Sequence, residues 1–150
     1  MQNEWTDLGR NISIWSGLLA WFIAQAIKLT TNWWQTREID FRYFVSTGGM
    51  PSAHSAAVCA LATSVGIRSG LDSTVFAVAL AFATIVMFDA QSVRRAAGQQ
   101  ARILNQIVAE IFKEHHLSKQ KLAELLGHTR IEVFFGLLLG VLVALVLHTL

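Results

Sequence analysis

Apolar positions gather into four stretches, at residues 12–34, 51–67, 73–93 and 133–150, with polar residues concentrated between them. A helix needs about 20 apolar residues to cross a bilayer, so each stretch reads as a membrane span. The first holds one charged residue, Lys28, and its Trp15, Trp21, Trp33 and Trp34 fit interfacial anchors. The second is short and rich in Ala and Ser. Such a segment crosses only if it is tilted, surrounded by protein or extended by its neighbours. The third opens on Asp72 or Ser73 as N-cap, and the fourth carries no Asp, Glu, Lys or Arg after Glu132. Between the last two spans, Leu104, Ile107, Val108, Ile111 and Phe112 recur at helical spacing, with Arg102, Glu110, Lys113 and Glu114 on other faces. That pattern predicts an amphipathic helix at the membrane surface. Ser118 is placed to cap a second, shorter one that Gly127 stops. The expected fold is all-α: a single integral membrane bundle over residues 1–150, with about four transmembrane helices and an amphipathic helix on the cytoplasmic side.

Composition supports a membrane protein. Apolar residues make up 53% of the chain, charged residues only 15%, and mean hydropathy is +0.46. The net charge of +2 conceals a strong asymmetry. With four spans, nine of the twelve Lys and Arg residues fall on one face, and only Arg10 and Arg68 fall on the other. Basic residues are retained in the cytoplasm, so both ends of the chain are expected outside, in an inner or plasma membrane. The first apolar run is too long for a cleavable signal and is expected to stay as an anchor. Cys59, alone in an apolar helix, reads as a small packing residue. No His, Cys or carboxylate spacing makes a metal site, so no cofactor is expected, and no feature points to nucleic acid.

The remaining polar residues converge. Lys28 near the inner end of the first span, His54 at the start of the second, Asp89, Arg94 and Arg95 at the end of the third, and His128 with Glu132 at the start of the fourth share one predicted face. Ionisable groups at such depth are costly, which marks them as functional candidates. Two histidines, cations and a carboxylate suit phosphoryl transfer. The cations hold phosphate oxygens, one histidine attacks, and the other protonates the leaving oxygen. The stretch "STGGMPSAHSA" adds Gly48 and Gly49 for close backbone approach to an anion, and Pro51 for the first turn of a helix whose N-terminus favours negative charge. Each residue also has a plainer role: Thr129 to Glu132 forms a capping box, Lys28 can snorkel to the interface, and Arg94 and Arg95 can act as topogenic charges.

At these positions the sequence resembles a known superfamily. "GMPSAHSA" is similar to the Pro-Ser-Gly-His motif of the type 2 phosphatidic acid phosphatase and vanadium haloperoxidase superfamily, and "GHTRIEVFFGLLLG" to its His-x-x-x-Asp motif. Together, "TGGMPSAHSA", "FDAQSVRRAAGQQA" and "LGHTRIEVFFG" resemble its divergent membrane branch over nearly the whole chain. The resemblance implies that His128 is the nucleophile, that Glu132 replaces the aspartate that orients it, and that His54 is the general acid. Ser52 and the Gly48 and Gly49 amides would hold phosphate. The chain departs from the superfamily in two places. Gln35 and Thr36 stand where the first motif has Arg-Pro, and Leu122 stands where the third has arginine. Arg94 or Arg95 could supply the missing guanidinium, with Asp89 in support.

The expected activity is metal-independent hydrolysis of a lipid phosphate or prenyl pyrophosphate through a phosphohistidine. The alternative is a lipid- or anion-binding membrane protein that keeps the pocket without turnover. Gly136 and Gly140 form a GxxxG pattern that invites close helix approach, within the chain or in a homodimer.

Overall fold

The computed structural model describes residues 4–37, 49–111 and 127–150. It contains α1 (Glu4–Gly9), α2 (Ile12–Thr36), α3 (Ala53–Ser69), α4 (Thr74–Gln91), α5 (Val93–Ile111) and α6 (Arg130–Thr149), with no strand among the described residues. Side-chain caps set most of the boundaries. Asn11 accepts from the Ser13 amide at the start of α2, Ser52 from the Ser55 amide at α3, Ser73 from the Phe76 amide at α4, and Thr129 from the Glu132 amide at α6. Pro51 lies one residue before the α3 cap, not inside the first turn as its chemistry suggested.

The core is built around α3, which packs against α2, α4 and α6. Its buried residues are almost all small: Ala53, Ser55, Ala56, Cys59, Ala60 and Ala62 among them. Small side chains let neighbouring backbones approach, which is how helices associate where lipid removes the usual hydrophobic drive. Gly17 of α2 faces the Ala57 carbonyl at close range. Gly136 and Gly140 of α6 face the Ser52 and Ala56 carbonyls. The GxxxG face is therefore packed against α3 of the same chain.

Polar contacts fix the ends. At one end, the Ser52 amide donates to the Glu132 carbonyl at 3.0 Å, and the His128 amide donates to the Ala90 carbonyl at 2.8 Å. These bonds bring together the starts of α3 and α6 and the end of α4. At the other end, Ser64 donates to Ser13 at 2.9 Å and its hydroxyl lies 2.8 Å from His148 Nε2, joining the end of α3, the start of α2 and the end of α6. Thus α3 and α6 run parallel, with α2 antiparallel to both.

Outward faces are apolar. Phe22, Phe82, Ile85, Phe88, Phe134 and Leu142 are all at least half exposed, a surface suited to lipid. Three helices are long and apolar enough to cross a membrane: Ile12–Trp34, the run beginning at Thr74, and Arg130–Thr149. At 17 residues, α3 is shorter, and α2, α4 and α6 pack around it. Past Ser92 the chain continues into α5, which touches α4 and leaves Ile103, Leu104, Ile107 and Val108 exposed. The second amphipathic segment, around Ser118 and Leu122, lies outside the described residues.

A Cβ on Gly140 would lie 2.9 Å from the Ala60 amide nitrogen and 3.0 Å from Cys59 Cβ, both on a helix that cannot yield locally. Gly140→Ala and Gly136→Ala should each lose about 1–3 kcal/mol, read as earlier unfolding in detergent. Gly9→Ala meets open space and should leave the transition unchanged.

Candidate active site

The site starts from one hydrogen-bonded unit. His128 is 2% exposed, and its Nδ1 donates to Glu132 Oε2 at 3.0 Å. The same oxygen accepts the Thr129 amide at 3.0 Å, while Thr129 Oγ1 accepts the Glu132 amide at 3.3 Å. The capping box and the histidine–carboxylate pair are therefore one device. A carboxylate only accepts, so it holds the proton on Nδ1 and leaves the lone pair on the buried Nε2. With its amide tied to the Ala90 carbonyl, His128 is fixed through both backbone and ring.

Lys28 faces this unit from α2. It is 4% exposed, enclosed by protein. Glu132 acts on it through space, and among the described residues no hydrogen bond or ion pair holds it. Gly49, at φ +89°, passes close by: the Lys28 Cγ and Cδ lie 3.9 Å from where a Gly49 side chain would begin. A cavity of about 650 Å³ opens here between α2, residues 49–51 and α6. Lys28, Asn32 and Gly49 line its polar end, and Phe135, Leu138 and Leu142 its apolar wall.

The remaining sequence-predicted residues divide. His54, half-buried, is the second residue of α3, two positions after the Ser52 amide that bonds to Glu132. The two histidines thus mark the starts of neighbouring parallel helices. Ser52 is fully buried, and its hydroxyl accepts from both the Ser55 amide and the Ser55 hydroxyl. Its observed work is capping. Asp89, half-buried in the last turn of α4, precedes the carbonyl that anchors His128. Arg95 is exposed on the first turn of α5. Gly48 and the side chain of Arg94 lie outside the described residues. Sequence reasoning did not single out Ser55, although its spacing of three from Ser52 places the two on one helical face.

Thr129→Ala should cost about 1 kcal/mol through the lost cap. His128→Ala and Glu132→Ala should be non-additive in unfolding experiments, with a coupling of about 0.5–3 kcal/mol. Strict additivity would show that the 3.0 Å pair contributes nothing to the fold.

Comparison with known proteins places the chain in a family. Residues 9–143 match the Divergent PAP2 family. The chain is also similar to the uncharacterized membrane protein YuiD of Bacillus subtilis (strain 168), 46% identical over 152 residues, covering 94% of this chain and 96% of that protein. No solved structure matches it. A match of this extent, spanning both histidine motifs and the helices that bring them together, shows that the chain belongs to the Divergent PAP2 family.

Proposed function

We propose that the protein is a metal-independent phosphatase of the membrane, acting on a lipid phosphate or prenyl pyrophosphate through a phosphohistidine. The observation that carries this reading is the His128–Glu132 pair. It is a buried imidazole with Nδ1 held by a carboxylate and Nε2 left as the basic nitrogen. Nε2 attacks phosphorus, a P–N bond forms, and the bond to the leaving oxygen breaks. His54 protonates that oxygen, then takes a proton from the water that cleaves the phosphohistidine. Lys28 balances the phosphate charge in a poorly solvated site, where such a contact is worth more than in water. Glu132 stabilises the positive charge that develops on the ring. Gly49 contributes close backbone approach, and Arg94 or Arg95 supplies the guanidinium that other superfamily members carry.

In this proposal α3 is the fourth span, short because protein surrounds it, and the site faces the cytoplasm, as the nine-to-two distribution of basic residues predicts. The amphipathic α5 lies along the same surface.

The test is phosphate release from a panel of lipid phosphates and prenyl pyrophosphates by purified protein. His128→Ala and His54→Ala, each shown to fold, should abolish or reduce turnover by at least about a hundredfold. Lys28→Met should chiefly raise KM. If no substrate yields phosphate while lipid phosphate still binds, the protein is an anion-binding membrane protein and the catalytic reading fails.

A further inference from the structure

The 650 Å³ cavity beside Lys28 is amphipathic along its length. At one end lies a buried ammonium that no described residue neutralises by direct contact, which calls for an anion. From there the wall becomes hydrocarbon. Phe135, Leu138 and Leu142 follow one another along α6 at spacings of three and four, opposite Ile27 of α2. Leu138 is 46% exposed and Leu142 60% exposed, so the groove opens sideways, where lipid lies. From Phe135 to Leu142 it runs roughly 10 Å along the helix. Beyond that level the two helices close: Ala20 and Ala24 of α2 join Val143 and Ala144 of α6 in a buried cluster, with Trp21, Ile23 and Leu139 packed on it.

The groove therefore has a charged mouth, a greasy wall and a blind end. A second apolar cleft, of about 440 Å³, is lined by Cys59, Leu80, Met87, Leu137 and Val141 among others. It lies on the α3–α4 side of α6 and shares no lining residue with the first. A lipid with its phosphate on Lys28 would have to straddle α6 to place a second chain there.

We infer that the α2–α6 groove is a subsite for one hydrocarbon chain, which makes the preferred ligand a single-chain amphiphilic phosphate and not a two-chain lipid. The phosphate position rests on the function proposed above. Leu138 and Leu142 are the residues that set chain length, because they line the stretch just before the groove closes.

The experiment is equilibrium binding of hexyl, octyl, dodecyl and hexadecyl phosphate to the full chain in nanodiscs, corrected for partition into protein-free discs. Phosphate release is measured in parallel. Affinity should rise about threefold to fourfold per methylene while the groove has room, then level off. Leu142→Trp should move the plateau to shorter chains and leave hexyl phosphate unaffected. Leu138→Trp should do the same more severely, and serves if Leu142→Trp fails to fold. Leu145→Trp, half exposed and outside the groove, should change nothing. Affinity that ignores chain length, or a diacyl phosphatidate that binds more tightly than every alkyl phosphate, would overturn the inference. Phosphate release without chain-length dependence sinks the groove and spares the phosphatase. Chain-length dependence without release does the reverse.

Discussion

The close approach of α6 to α3 is the contact on which the site depends. Gly136 lies against the Ser52 carbonyl, and the Ser52 amide donates to the Glu132 carbonyl, so two distant sequence motifs are joined backbone to backbone. A side chain on Gly136, or on Gly140 one turn further along, would push the helices apart. Because α3 and α6 run parallel from this junction, their first turns lie side by side. Each carries a histidine motif, and the α4 carbonyl at Ala90 closes the third side by holding the His128 amide.

Burial then gives the polar residues their chemistry. In water, a Lys28 ammonium and a Glu132 carboxylate would interact weakly. Beside a membrane core, each charge is costly unless something answers it. Glu132 is answered by the His128 ring, the Thr129 amide and the nearby cation. Among the described residues Lys28 is answered only through space, which is why the cavity it lines reads as a place for an anion. The capping box, an ordinary device at a helix start, here also sets the tautomer of a histidine, so folding of α6 and readiness of the site are one event.

The main lines of this arrangement were legible in the sequence. Apolar run lengths located the helices, and the caps at Ser73 and Thr129 stood within a residue of where they were expected. His128 with Glu132 was recognisable from the resemblance to a His-x-x-x-Asp motif, although α6 begins only at Arg130 and the two side chains meet across its capping turn. Tertiary choices were not legible. A GxxxG pattern states that a helix will come close without stating which one, and α3 fills that place. Pro51 looked like a first-turn residue, but Ser52 takes the cap and leaves it outside. Ser52 suggested a phosphate ligand, and its additional work as the α3 cap that accepts from Ser55 was not singled out. Arg94 and Arg95 are adjacent in sequence, and sequence alone could not foresee that Arg95 would stand exposed on α5.

The central claim is that His128 Nε2 is a nucleophile and not merely a buried, satisfied ring. The most direct measurement is mass spectrometry of the protein mixed with a phosphorylated lipid and quenched without acid. The account predicts a phosphoryl adduct on His128 that acid removes and that is absent in Glu132→Ala. Turnover with no adduct on His128, or with His128 replaced, would contradict it.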